Sequence, residues 1–263
     1  MKENKARVIA FYLPQYHPIP ENDKYWGKGF TEWTNVAKAK PLFRGHYQPH
    51  IPADLGFYDL RLPEVREAQA ELARDAGIEG FCYYHYWFGN GKMLLQKPFE
   101  EVLRLGKPDF PFCLCWANHD WTTKTWVKGS SMVNNTMIAQ QEYLGEQDDI
   151  KHFEYCLRAF KDHRYITIEG KPIFLIYDPL SFPNVKEFMN RWNFLAKKNN
   201  LKGIYFIGVT TGRQSSYKIV TNLGFDGVCH NRRWEAEAKA AGFRFVRRMQ
   251  SLFCLLYTSP SPR

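Results

Sequence analysis

Residues 10–33, AFYLPQYHPIPENDKYWGKGFTEW, join an apolar strand to a loop of unusual composition. The strand is predicted over 7–13 and is interrupted at Pro14. Beyond it the loop is dense in aromatic and amide side chains and carries an isolated carboxylate, Glu32. An aromatic face covers the C–H face of a pyranose, while amides and carboxylates hydrogen-bond its hydroxyls. The composition of the loop therefore indicates a sugar-binding surface.

Composition indicates one domain rather than several. The chain has 263 residues, of which 44% are apolar and 16% aromatic. It can therefore form a large core, and its aromatic content exceeds what a core needs. No repeat, linker or change in composition divides it, and we assign one domain to 1–253. The net charge of +9 comes from scattered Lys and Arg. The only dense basic cluster, 244–248, has no DNA- or RNA-binding motif around it, so we expect no nucleic-acid partner.

Cysteine usage and hydropathy favour a cytoplasmic protein. Three of the six cysteines, Cys82, Cys113 and Cys115, lie inside predicted strands, as small buried hydrophobic residues do. There is no C-x-x-C motif and no signal peptide, since the N-terminus passes directly from charged residues into a strand. No apolar run approaches the ~20 residues that a membrane-spanning helix needs.

Strand-like runs alternate with amphipathic helical stretches, which is typical of βαβ units and a parallel sheet. About six units predict an α/β fold, an incomplete (β/α)8 TIM-type barrel. A doubly wound sheet is disfavoured because no glycine-rich phosphate loop follows the first strand. The 14–62 connection is too long for a simple turn, and long loops after barrel strands usually serve function. The predicted strands are 7–13, 79–87, 111–117, 172–177, 203–209 and 225–229, and the predicted helices are 63–76, 96–105, 146–162, 184–199 and 214–222, with a further helix starting near Glu235.

Polar and aromatic residues end several of these strands, and a closed barrel would bring them to one rim. Side chains alternate along a strand, so His85 and Trp87 share one face with Phe81 and Tyr83. Structural roles stay open: a core histidine for His85, packing for the tryptophans, a helix cap or ion pair for Glu32, and a turn for Asp178. The residues predicted to bind sugar are Tyr12, His17, Glu32, Trp33, His85, Trp87, Trp116, Asn118, Asp120 and Tyr177.

Catalytic residues are not identifiable from these motifs. Glycoside cleavage generally needs two carboxyl groups across the bond, and Glu32, Asp120 and Asp178 each lack a carboxylate partner nearby in sequence. A metal bound by His85, His119 and Asp120 would fit no standard spacing, so we expect no metal. Nucleotide, serine-hydrolase and metalloprotease motifs are missing from the sequence, and we expect no cofactor.

Long stretches resemble the WbsX-like glycosyltransferase family, which is related to glycoside hydrolase family 99. They are residues 10–33, 31–88 and 108–118 (PDFPFCLCWAN), and the resemblance continues more loosely to about Asn231. It implies a (β/α)8 barrel that acts on an oligosaccharide or polysaccharide. The implied chemistry is hydrolysis of mannose-type linkages, or glycosyl transfer in O-antigen or capsule assembly. A fragment that only binds glycan is the third hypothesis.

Two departures from the family pattern limit what the resemblance implies. Relatives typically read Trp-Ala-Asn-Glu-Asn-Trp after the third strand, whereas residues 116–121 read Trp-Ala-Asn-His-Asp-Trp. In the hydrolase relatives the catalytic pair lies in an Asn-Glu-Trp-x-Glu segment at a late strand, which residues 231–235 do not match. We therefore expect the catalytic carboxylates beyond Phe253, and we interpret 254–263 as a non-native tail.

Overall fold

The computed structural model describes residues 6–123, 136–210 and 215–231. Nine strands and seven helices are present in these ranges. The strands are β1 (Ile9–Tyr12), β2 (Gly80–His85), β3 (Phe112–Trp116), β4 (Trp121–Thr122), β5 (Met137–Ala139), β6 (Thr167–Ile168), β7 (Lys171–Ile176), β8 (Tyr205–Thr210) and β9 (Gly227–His230). The helices are α1 (Pro20–Trp26), α2 (Glu32–Lys38), α3 (Pro63–Asp75), α4 (Lys97–Leu105), α5 (Glu146–Phe160), α6 (Val185–Lys198) and α7 (Ser215–Asn222).

Six strands form one curled parallel sheet in the order β1-β2-β3-β7-β8-β9. Each strand pairs with the next one of the six along the chain, so the strand order never reverses. A doubly wound sheet reverses its order at a switch point, whereas a barrel adds strands in one direction. The prediction of about six units of a (β/α)8 barrel is therefore confirmed.

Five helices cover the same face of this sheet. Tyr12 of β1 bonds to Gln69 of α3, and Tyr83 of β2 contacts Phe99 of α4. Further along, α5, α6 and α7 pack on β2, β7 and β8 through the pairs His85–His152, Phe174–Trp192 and Gly208–Val220. The opposite face is concave, and none of these five helices covers it.

The concave face carries the residues that alternate with the helix-facing ones. Two of these residues are Cys82 and Cys113, which are paired neighbours on β2 and β3. Both are buried. Burial raises the pKa of the Cys82 thiol, and the hydrogen bond with Cys82, together with burial, raises the pKa of the Cys113 thiol. The expectation that the strand cysteines act as small buried hydrophobic residues agrees with this position.

The long 14–62 connection contains two short helices that the sequence analysis had assigned to a loop. Helix α1 begins at Pro20, where proline is tolerated because it lacks only an N–H that has no partner in the first turn. Helix α2 follows Thr31, whose N–H donates to the hydroxyl of Thr34 at 3.4 Å. Each helix has seven residues, too few to show a clear hydrophobic period.

Strands β4, β5 and β6 were also missed, since each has only two or three residues. Strands β4 and β5 form a separate antiparallel ribbon just beyond the end of β3. The helix expected near Glu235 and the tail 254–263 lie outside the described residues. Within the described ranges, no helix combines the length and the apolar character needed to cross a membrane.

Candidate functional site

Aromatic rings cross the concave face of the sheet in a continuous row. Phe11 of β1 stacks on Tyr84 of β2 with ring centroids 5.4 Å apart. Tyr84 meets Tyr177, which follows β7, at 5.9 Å, and Tyr177 lies 5.5 Å from the ring of His119. Phe11 is 43% exposed, so the row begins at an accessible ring. Because these residues come from the ends of parallel strands, the row lies at the edge where barrels build their sites.

A second group, polar and buried, lies on the same face around Tyr86. The amide of Gln15 donates to the Tyr86 hydroxyl at 3.1 Å, and the Tyr86 ring stacks on Trp121 at 5.4 Å. Burial raises the pKa of Tyr86, and the nearby Cys115 thiol and the Glu32 carboxylate raise it further. Tyr86 therefore keeps its proton and can donate a hydrogen bond beside a carboxylate. Glu32 is only 5% exposed, which is unusual for a charged residue.

Asn118 holds the ends of two strands together at this edge. Its Oδ1 accepts a hydrogen bond from the Asp178 N–H at 2.8 Å, and its Nδ2 donates to the Asp178 carbonyl at 2.8 Å. Nδ2 also donates to the Tyr143 hydroxyl at 2.9 Å. The side chain thus extends the β3–β7 ladder by one step and fixes the position of Tyr177. We predicted Asn118 as a sugar ligand, and in this structure its amide is engaged with the protein.

Four of the predicted sugar-binding residues lie on the helix-facing side of the sheet. Tyr12 contacts α3, and Trp116 packs against Phe188 of α6 at 5.5 Å. The His85 Nε2 lies 2.8 Å from the His152 Nε2 on α5. Trp87 stacks on His152 at 4.6 Å and donates to Asp148 at 3.1 Å. The structure therefore does not bring these four to the concave face with Glu32 and Tyr177.

The buried histidine pair is electrically neutral. Burial lowers the pKa of His85 to about 3. Burial lowers the pKa of His152 well below its usual value, and the neighbouring His85 lowers it further. With both rings neutral, one Nε2 carries the shared hydrogen and the other accepts it. The arrangement agrees with the structural alternative for His85, a core histidine.

The remaining predicted residues lie in the loops around the site. Trp33 packs in an aromatic cluster with Tyr16 and Tyr58 and donates to the Tyr58 carbonyl at 2.8 Å. His17 is 1% exposed, and burial lowers its pKa to about 4. Asp120 is exposed, and its carboxylate accepts the Gln141 N–H at 2.7 Å next to β5.

Asp178, a candidate carboxylate, has the local role that its turn position suggested. Its side chain accepts hydrogen bonds from the Ser181 N–H at 3.2 Å and the Ser181 hydroxyl at 2.7 Å. A carboxylate engaged in this way stabilises the turn after β7. The described residues thus assign Asp178 to structure, and they leave Glu32 as the buried carboxylate on the concave face.

Five residues of the concave face were not predicted: Phe11, Gln15, Tyr84, Tyr86 and Trp121. All lie within or close to segments that the sequence analysis had singled out. The signal that could have found them is the alternation along β2, which places Tyr84 and Tyr86 opposite His85. Hydrophobicity does not show which of the two faces is concave, because both faces of a parallel sheet are largely buried.

The sequence profile of the family described as Glycosyltransferase WbsX matches residues 8–253. The chain belongs to this family. Two curated relatives, both named uncharacterized protein WxcX, come from two strains of Xanthomonas campestris pv. campestris. Each is 42% identical over 223 residues, which cover 85% of this chain and 31% of the relative. This WbsX-family chain therefore spans about a third of the length of the curated relatives it matches.

A solved structure supports the fold of this WbsX-family chain. The family 99 endo-alpha-mannosidase of Bacteroides thetaiotaomicron superposes with a TM-score of 0.51 at 16% identity, covering 84% of this chain and 57% of that one. At this identity the likeness shows the fold and not the activity. The match shows a barrel fold, in agreement with the one-directional strand order.

Proposed function

We propose that this chain is the glycan-binding part of a carbohydrate-active enzyme, with its saccharide site on the concave face. The observation that carries the proposal is the row of rings from Phe11 to His119 beside the buried group around Tyr86. A row of aromatic faces with polar groups at one end suits a pyranose, which has apolar C–H faces and hydroxyl edges. Family membership and the barrel fold support the same class of ligand.

Each part of the site has a separate task in this proposal. Phe11, Tyr84 and Tyr177 stack on sugar rings, and because the row crosses four strands, from β1 to β7, it accommodates more than one ring. Gln15, Tyr86 and Glu32 read hydroxyls at the polar end. A buried carboxylate is a strong acceptor because the low local dielectric strengthens its hydrogen bonds.

Chemically, we propose glycoside hydrolase-like cleavage of mannose-type glycans in cell-surface polysaccharide metabolism. The mannosidase fold match supports the hydrolase, and the family description supports the second candidate, glycosyl transfer in lipopolysaccharide biosynthesis. We assign no catalytic residue in this chain, because hydrolysis needs two opposed carboxyl groups, and among the described residues Glu32 is the buried carboxylate near Tyr86.

Titration calorimetry of the 263-residue chain with manno-oligosaccharides tests the binding site. Phe11→Ala removes an exposed ring from the row, and Phe194→Ala removes an exposed ring, 66% accessible, from the outer helix α6. A lost stacking contact of about 1 kcal/mol corresponds to roughly a fivefold weaker affinity. We expect this loss for Phe11→Ala and none for Phe194→Ala. Equal affinities in the two variants would place the glycan elsewhere.

Product analysis separates the two reactions. Release of free sugar from an oligosaccharide without a nucleotide-sugar donor indicates a hydrolase, and strict dependence on a donor indicates a transferase. Binding without turnover by this chain supports the third hypothesis, a glycan-binding unit. Turnover by this chain would contradict the expectation that catalytic carboxylates lie beyond Phe253.

A further inference from the structure

Three side chains with metal-binding atoms converge between β2 and α5, on the opposite side of the sheet from the glycan site. They are His85, His152 and Cys156, and their ligand atoms all lie within 4.8 Å of one another. His152 and Cys156 are four residues apart on α5, so they project from the same face of the helix toward His85. All three are buried, with exposures of 5%, 1% and 0%.

The walls of this cluster are rigid and dry. The indole of Trp87 lies parallel to the His152 ring, at 4.6 Å and 4°. Trp116 and Trp192 meet the same ring edge-on, at 4.8 and 5.0 Å. Tyr155 stacks on His85 at 5.5 Å. Rings packed in this way hold the two imidazoles in orientation, and the low exposure of the three donors limits their contact with bulk water.

The donor set is soft, with two imidazole nitrogens and one sulfur. Among the described residues no Asp or Glu joins the group. Thiolate and imidazole ligands select copper and zinc rather than magnesium or calcium. Charge decides between these two metals, because a dry interior disfavours any net charge. A thiolate with Zn²⁺ leaves one positive charge buried, whereas a thiolate with Cu⁺ leaves none.

We propose that His85, His152 and Cys156 form a three-coordinate site for a monovalent soft cation, Cu⁺. On binding, the Cys156 thiol loses its proton to solvent and its sulfur bonds the metal. The hydrogen shared between the two Nε2 atoms moves to the Nδ1 of the ring that carried it, so both Nε2 atoms bond the metal. One Cu⁺ replaces one H⁺, and the charge of the cluster stays zero.

Little movement is needed to form this site. Trigonal bonds of about 2.0 to 2.3 Å separate the donor atoms by roughly 3.5 Å. The two Nε2 atoms, now 2.8 Å apart, must separate by about 0.7 Å. The sulfur, which lies within 4.8 Å of the ligand nitrogens, must come to roughly 3.5 Å from each of them. The bound metal would connect α5 to β2, the strand that carries Tyr84 and is followed directly by Tyr86 at the glycan site.

Reconstitution with Cu⁺ tests the site. The chain is refolded with and without Cu⁺ under anaerobic conditions, its fold is checked by circular dichroism, and excess metal is removed with a Cu⁺ chelator. We expect one retained Cu⁺ per chain, an X-ray absorption spectrum with two nitrogen and one sulfur neighbours, and quenched tryptophan fluorescence. A folded chain that retains no copper would overturn the proposal and leave a hydrogen-bonded histidine pair.

Matched variants locate the metal. Cys156→Ala and Cys113→Ala each remove one fully buried thiol, the first from the cluster and the second from the concave face. Cys156→Ala should lose at least tenfold in Cu⁺ affinity, while Cys113→Ala keeps it. His152→Gln, which keeps a polar side chain at the helix position, should lose affinity in the same way. An all-sulfur spectrum, or loss in Cys113→Ala alone, would assign copper to the strand thiols and refute the site.

Discussion

Replacing Asn118 with alanine should destabilise the chain and disturb the proposed glycan site together. The substitution removes both hydrogen bonds to the backbone of Asp178 and one to Tyr143. An unpaired buried polar group costs about 1–3 kcal/mol. The Tyr143 hydroxyl keeps the Asn118 carbonyl as a partner at 3.2 Å, and the Asp178 backbone is only partly buried. We therefore expect the free energy of unfolding to fall by about 2–4 kcal/mol.

The near-isosteric change Asn118→Asp separates hydrogen bonding from packing. A carboxylate still accepts from the Asp178 N–H, but it cannot donate to the Asp178 carbonyl and places two acceptors face to face. Shape is retained, while the hydrogen bond to the Asp178 carbonyl is lost and replaced by a repulsion. We expect a loss of stability close to that of Asn118→Ala if hydrogen bonding is the main contribution.

Urea unfolding at neutral pH, followed by circular dichroism, measures both variants. Asn199→Ala is the control, because the Asn199 amide makes one local bond, to the Leu195 carbonyl at 2.9 Å, at the end of α6. It should cost less than about 1 kcal/mol. Calorimetry with manno-oligosaccharides should also show weaker binding in the Asn118 variants, because Tyr177 is no longer fixed. If Asn118→Ala unfolds at the same urea concentration as Asn199→Ala, the side chain does not hold the two strands.

Further predictions concern a buried histidine, a close glycine contact and a buried phenol. His17 has a folded pKa of about 4, below its unfolded value, so its contribution to stability is complete above pH 6.5 and is lost as the pH falls toward 4. When the pH is lowered from 8 to 5, urea unfolding should show that His17→Phe loses about 2 kcal/mol less free energy of unfolding than the wild type. The control variant His163→Gln, at a side chain that is 83% exposed, should follow the wild type. Parallel curves for all three proteins would contradict this prediction. A Cβ at Gly80 would lie 2.5 Å from the Pro111 carbonyl oxygen, so Gly80→Ala should cost about 1–3 kcal/mol in the same assay, and a neutral result would mean that the β2–β3 spacing is not tight. Tyr165→Phe removes a hydroxyl that hydrogen-bonds the backbones of β3 and β7. We expect the free energy of unfolding to fall by about 1–3 kcal/mol. An unchanged midpoint of urea unfolding would be the contrary outcome.

The pH prediction for His17 rests on its surroundings. Among the described residues, neither ring nitrogen of His17 has a hydrogen-bond partner at normal geometry. The interaction with the Pro14 backbone is weaker than a normal hydrogen bond. Burial is the largest cause of the lowered pKa, while the nearby Asp59 carboxylate opposes it. A phenyl ring satisfies the same packing without a group that must be protonated. The comparison therefore isolates the proton and leaves the shape of the side chain nearly unchanged.

Every major strand and helix among the described residues was predicted from the sequence. Helix α3 was predicted over 63–76 and is found at Pro63–Asp75, and β7 was predicted over 172–177 and is found at Lys171–Ile176. These elements are long enough for their hydrophobic period and their Pro and Gly boundaries to be read locally. The seven-residue helices α1 and α2 give no such period, and they were missed.

The composition of the site was predictable from residue types, since the aromatic and amide loop after β1 and the polar strand ends were evident in the sequence. Which particular residues form the site was not predictable from the sequence. His85 and Tyr86 are neighbours in sequence, yet the first contacts α5 and the second accepts from Gln15 on the concave face. Asn118 has the residue type of a sugar ligand, and only the position of Asp178 shows that its amide bonds the backbone.

By itself, the sequence determined the order of the βα units along the chain and the family to which the chain belongs, and it favoured a barrel over a doubly wound sheet. These are properties of local period and of motif, and each can be read within a short window of residues. Only the tertiary structure decided which face of β2 is concave and which side chains meet there. The physical reason is that both faces of a parallel strand are buried in apolar and aromatic surroundings, so the curl of the sheet and the side on which the helices pack assign each residue to the core or to the site.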